Sequence, residues 1–220
     1  MKTTKTTATI TLLVAAALAM AACTPTTPTD PTGGATASPT TSESPSPTTT
    51  AGAAPVQDPV PAPTTQQEAI TSATKAIENY LVASFAVDEN PDLGVEYLRG
   101  FLVQGGAEQK VISDTVAHNL ENGWHKTGSP TTWTTNDAMS YASQTTNAAT
   151  GEKFEFGAAI IYGCGDNSGW DIEVPAGQTP PAIQKGSFPR QWTMVYEQNE
   201  HIWLVQESVS LTGKDGAPTC

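Results

Sequence analysis

The sequence predicts an α+β domain, with N-terminal helices packed on a curved antiparallel sheet, carried behind an export signal and a disordered linker. Three observations predict it. All of the aromatic residues, five each of Trp, Tyr and Phe, lie beyond Gln66. From Gln66 to Leu120 apolar residues recur at helical spacing, and beyond Trp124 the period shortens to two, with turn residues between the runs.

The chain opens on MKTTKTTATITLLVAAALAMAAC, where Lys2 and Lys5 precede an apolar stretch from Ala8 to Ala22. That is the layout of a secretory signal. The stretch is short for a spanning helix, and a polar, proline-rich segment follows it in place of basic stop-transfer flanks. Met20-Ala21-Ala22-Cys23 resembles the bacterial lipoprotein cleavage motif, although Met20 stands where Leu is commoner. The resemblance implies that residues 1–22 are removed, that Cys23 carries lipid, palmitate-type acyl chains included, and that the membrane is a partner through this anchor. It places the protein on the extracytoplasmic face of the cell membrane. The alternative is ordinary cleavage after Ala19-Met20-Ala21, which leaves Cys23 as an exposed thiol.

Residues 23–65 read as the lipidated cysteine and a linker. From Thr24 to Thr65 there are 13 Thr, 10 Pro and 4 Ser in 42 residues, with no aromatic residue and no Lys or Arg. Such a composition buries too little apolar surface to offset chain entropy, so a disordered, partly polyproline-like spacer is expected. Its reach runs from about 35 Å as coil to about 130 Å fully extended. Thr and Ser beside Pro also suit O-glycosylation.

Residues 66–220 are long enough for one domain with a real core. Thr65-Gln66-Gln67-Glu68 has the pattern of a capping box, and Ile70, Ala73, Ile77, Leu81 and Phe85 follow at helical spacing, predicting a helix from Gln66 to about Val87. Asn90-Pro91 starts a short helix carrying Leu93, Tyr97, Leu98 and Phe101. Gly105-Gly106 ends the connection. Val111, Ile112, Val116 and Leu120 mark the buried face of a third helix, stopped by Asn122-Gly123. Strands are expected at 131–145, 153–163, 170–174, 188–197 and 201–211. The last two form the clearest hairpin: Trp192, Met194 and Tyr196 share one face, Gln198-Asn199-Glu200 turns the chain, and Ile202-Trp203-Leu204-Val205 is apolar on both faces.

The early helix QEAITSATKAIENYLVASF, the segment GCGDNSGWDIE and the hairpin RQWTMVYEQNEHIWLV together resemble the nuclear transport factor two-like superfamily, in particular its actinobacterial lipoprotein members. The resemblance implies a cone in which helices fill the concave side of a curved sheet. Such a cone holds a small ligand, as in ketosteroid isomerases and polyketide cyclases, or only side chains. Trp133, Trp192 and Tyr196 are the candidates for an apolar ligand pocket; the alternative is that they are ordinary core aromatics.

Catalytic chemistry finds little support. Isomerases of that kind need a tuned carboxylate and an oxyanion donor, and Tyr80, Asp137 and Tyr141 have no spacing that selects them for it. His118, His125 and His201 are scattered without metal-ligand spacing, and nucleophile-elbow, phosphate-loop and dinucleotide motifs are absent, so no cofactor is expected. Removing Lys2 and Lys5 deepens the net charge from −12 to −14, which argues against nucleic acid. The expected partner is an envelope protein or a small ligand, bound without turnover; a cone-pocket enzyme and an accessory protein with a filled cone are the alternatives.

Residues 162–173, YGCGDNSGWDIE, read as a structural turn, with Asp166, Asn167 and Ser168 bonding their own backbone and Gly165 and Gly169 in conformations other residues avoid. With Asp171 and Glu173 the same oxygens offer calcium an alternative, without the EF-hand order. Once Cys23 is lipidated, two cysteines remain, and an oxidising compartment favours a Cys164–Cys220 bridge. It closes a long loop and contributes up to about 4 kcal/mol in the chain-entropy account.

Overall fold

The computed structural model describes residues 53–147 and 150–220. The signal, Cys23 and the linker up to residue 52 lie outside them. Among the described residues no helix is long and apolar enough to cross a membrane.

Helix α1 (Gln66–Glu89) starts where its cap predicts: the Thr65 hydroxyl accepts from the Glu68 amide. The return half of the box differs, because the Glu68 carboxylate accepts from the amide and hydroxyl of Thr64. Those bonds hold the Glu68 carboxyl below its ordinary range. Ile70, Ala73, Ile77 and Phe85 are buried as spaced, joined by Ala69, Ala76, Tyr80, Ala83 and Val87. Four alanines on that face let the helix lie close to the sheet.

The short helix is two 3-10 turns, Pro91–Leu93 and Val95–Leu98, separated at Gly94, whose φ of +67° suits glycine. Helix α2 (Ala107–Asn122) begins one turn before Val111 and ends at Gly123 in the left-handed region. Its expected buried face is corrected. Val116 is buried, but Val111 and Leu120 are about half exposed, at 55% and 50%. The helix packs on the last strand and the 3-10 turns and leaves part of its apolar stripe facing a cavity.

Among the described residues seven strands follow: β1 (His125–Gly128), β2 (Thr132–Thr135), β3 (Tyr141–Thr146), β4 (Lys153–Asp166), β5 (Trp170–Glu173), β6 (Ser187–Glu197) and β7 (Ile202–Ser210). All pair antiparallel, which with the helices makes the domain α+β. The main sheet runs β2-β4-β6-β7, with β3 also on β4, while β1 and β5 form a separate ribbon. Bulges fall at Ser143/Thr145 and Thr193/Met194, where strands bend.

The strand expected at 131–145 is two. Ser140 is buried in the break, where its hydroxyl donates to Asn136 O and accepts from the Tyr162 amide, ending one pairing and starting the next. Strand β1 was not predicted at all: HKTG has no apolar alternation to reveal it.

The domain also starts earlier than Gln66. Residues 53–65, expected to belong to the linker, form an extended strap on the domain. Gln57 Nε2 donates to Gly100 O at 2.7 Å and Trp203 O at 2.9 Å, the Val60 amide donates to His201 O, and Val60 O accepts from the Tyr196 hydroxyl. Proline-rich composition hides this because the strap is held mainly by its backbone and the Gln57 amide, with only Val60, packed on the core, and buried Pro63 as apolar contacts.

GCGD is strand, and the turn reading needs correcting there. Cys164 and Gly165 lie inside β4, paired with Pro189 and Phe188 of β6. Gly163 and Gly165 have ordinary backbone angles, as does Gly169. Lack of a side chain is what matters: a Cβ on Gly163 would meet the Trp133 ring at 2.6 Å, and one on Gly165 the Phe188 ring at 2.7 Å. The Asx turn itself is present, with the Ser168 amide donating to Asp166 Oδ1, and Ser168, through its side chain first and this amide second, keeps the Asp166 carboxyl below its ordinary range. Cys164, on the face of β4 away from the core, is bridged to Cys220 with the Cα atoms 5.7 Å apart.

Candidate functional site

A cavity of about 320 Å³ opens between α1, α2 and the helix-facing side of β4 and β6. That is the small end of the range for small-molecule sites. Trp133, Trp170, Phe188, Trp192, Tyr80 and Phe85 supply aromatic wall, and Gly163 and Gly165 of β4 let the Trp133 and Phe188 rings lie against the strand. Trp133 and Tyr80 both stand edge-on to Trp192, at 6.0 and 5.7 Å between ring centres. The β1–β5 ribbon supplies part of the rim, where Lys126 lies 4.2 Å from the Trp170 ring centre.

Into this space projects a chain of polar groups from four elements. Glu108, on the first turn of α2, is 4% exposed. Its carboxylate accepts from the Tyr80 hydroxyl at 2.9 Å and from Ser208 Oγ at 2.7 Å. Ser208 in turn accepts from Arg190 Nη1 at 3.0 Å. Burial, then the charge of Glu108, push the Tyr80 phenol well above its ordinary range, so Tyr80 stays a donor. At the rim Asp88 and Lys126 pair at 2.7 Å. Arg190 has no carboxylate within ion-pair distance among the described residues. Its Nε and the Trp192 Nε1 are buried donors with no acceptor.

Of the predicted pocket residues, Trp133 and Trp192 line the cavity and Tyr196 does not. Tyr196 belongs to the core beyond it, stacked on Phe154 at 5.5 Å, with its hydroxyl between Val60 O and His201 Nδ1. Tyr80 is in the cavity, but Asp137 is an exposed turn residue and Tyr141 is 46% exposed on β3, so the three do not meet. His118 packs edge-on to Trp124, His125 faces Glu173, and His201 sits at the hairpin turn with φ +57°. The acidic segment is dispersed: Asn167 bonds Gly186 and Gln184, Asp171 pairs with Lys185, and among the described residues no three His, Cys, Asp or Glu side chains converge.

Sequence reasoning missed Glu108, Arg190 and Ser208. Glu108 reads as a first-turn acid that complements the helix dipole. Arg190 had one available signal: it shares the alternation of Trp192, Met194 and Tyr196 and therefore faces inward, an unusual place for a cation.

No family model and no curated protein matches the chain. Among solved structures it is similar to the intermembrane space region of the chloroplast protein ARC6, at 13% identity and a TM-score of 0.36, over 64% of this chain and 95% of that one.

Proposed function

We propose that this is a lipid-anchored extracytoplasmic binding protein whose cavity takes a small, largely aromatic molecule without turning it over. The observation that carries the reading is the cavity itself, roomy enough for a ligand, walled by aromatic rings and fitted with buried donors that lack acceptors. A filled cone would leave no such space. The anchor rests on the signal and Cys23; mass spectrometry of the mature N-terminus finds a diacylglyceryl-cysteine there, and an unmodified peptide starting at Ala22 refutes it. Membership of the nuclear transport factor two-like superfamily rests on the helix-then-sheet order.

Trp133, Trp170 and Trp192 report on occupancy. Monocyclic and bicyclic aromatic probes at about millimolar concentration quench the tryptophan fluorescence of the mature protein, and Ser84→Phe, which projects a ring into the space, suppresses the effect while leaving the circular dichroism spectrum intact. Fluorescence unmoved by every probe sinks the binding reading.

One observation favours a second reading, a proton-transfer enzyme: the buried Glu108 carboxylate, held by a Tyr80 that remains protonated. Binding is preferred because the Tyr80 donor is spent on Glu108 and does not point at a substrate oxygen. Deuterium exchange next to the carbonyl of a bound aromatic ketone, lost in Glu108→Gln, would reverse that preference.

A further inference from the structure

We propose that the molecule this cavity takes is a monocarboxylic acid, its carboxylate held by Arg190 and its flat apolar body lying among Trp133, Trp170 and Phe188. This deepens the binding reading and rests on it. Four charged side chains line the cavity: Asp88, Glu108, Lys126 and Arg190. Asp88 and Lys126 answer each other, and both oxygens of Glu108 accept bonds from neutral hydroxyls. Arg190 is the one left over. Its link to Glu108 runs through Ser208, which takes only Nη1.

The guanidinium is otherwise packed against carbon, with its central carbon 5.6 Å from the Phe188 ring centre and 5.3 Å from that of Trp192. Ring faces hold a planar cation in place and keep water off it, but they accept no hydrogen bond from Nε. Two residues along the same face of β6, Trp192 is 1% exposed and its Nε1–H also lacks an acceptor. Both nitrogens are closed off as the side chains stand, and a turn of the Arg190 head, whose residue lines the cavity, is what brings its guanidinium to an acceptor there. A carboxylate matches the guanidinium fork, and in a low-dielectric pocket that pairing is stronger than at the surface. A dianion such as a phosphate monoester is disfavoured because Glu108 and Asp88 share the cavity with a single unpaired cation.

Three isosteric probes separate the possibilities by calorimetry on the mature protein: 2-naphthoate, 2-naphthamide and 2-naphthylmethylamine. Naphthoate binds about ten-fold tighter than naphthamide, a difference of one well-made charged contact, and the amine is weakest. Arg190→Gln removes the preference for the acid while leaving naphthamide affinity within about two-fold; Arg190→Lys, which keeps the charge without the fork, is intermediate. Naphthamide or the amine binding wild-type protein as tightly as naphthoate overturns the proposal while leaving a binding cavity in place, and this comparison needs no variant to fold. An acid preference that survives in a folded Arg190→Gln protein overturns the role of Arg190. If none of the three binds, the cavity reading fails together with this one.

Discussion

Trp192 and Trp203 lie on neighbouring strands, each 1% exposed, yet only one has its nitrogen answered. Trp203 Nε1 donates to Ser72 Oγ at 2.8 Å, its ring stands edge-on to Tyr196, and the strap closes over that end of the core through Tyr196 and Gln57. Among the described residues Trp192 Nε1 has no acceptor, and its ring borders a cavity beside an arginine that finds no counter-ion there. Burial alone therefore does not tell a core tryptophan from a site tryptophan. Polar satisfaction does, because folding leaves a donor unanswered mainly where something else completes it.

The largest test of that contrast is truncation. Trp203→Ala is expected to cost about 3–5 kcal/mol in urea unfolding, and Trp192→Ala to fall at the low end of that range, since its void merges with a cavity already present. Equal losses would break the contrast. Opening the Cys164–Cys220 bridge, by reduction or Cys220→Ser, lowers stability by about 2–4 kcal/mol and leaves probe binding unchanged, because the bridge lies on the face of β4 away from the cavity.

Removing only the indole nitrogen sharpens the comparison further. Trp203→Phe loses the bond to Ser72 Oγ, whose hydroxyl keeps its donation to Glu68 O, and costs about 1 kcal/mol more than Trp192→Phe, which deletes a donor that had no partner. The smallest effect concerns pH. Tyr80 titrates higher in the folded protein than in the unfolded chain, so its contribution is complete below pH of about 10 and declines above it, where the unfolded chain loses the proton first. Tyr80→Phe flattens that alkaline slope in stability measured against pH; a slope unchanged by the substitution assigns it to other groups.

Much of the fold was legible from short-range pattern. The Thr65 cap, the Ile70–Ile77 spacing and the Gly123 stop each act within a turn of helix, and the 192–196 alternation acts within one strand. The bridge was legible by counting, because only two cysteines follow residue 23. What failed depends on neighbours far along the chain. Thr131 to Thr145 reads as one strand until β4 is seen to pair with it separately on the two sides of Ser140, and GCGD reads as a turn until Trp133 and Phe188 are seen to need its missing side chains. The site was the least legible part: Tyr80, Glu108, Arg190 and Ser208 are joined by three hydrogen bonds across 128 positions of sequence, and each residue alone has an ordinary explanation.

The sequence by itself determined the class of domain, its acidic charge, the cysteine pairing and the expectation of export, because composition, periodicity and counting are local or global sums that need no geometry. Only the tertiary structure decided that a cavity opens between the helices and the sheet, that Tyr196 belongs to the core and Arg190 to the cavity, and that the strap belongs to the domain. Those outcomes depend on which donors meet which acceptors once distant elements pack, and no spacing along a single strand or helix records that.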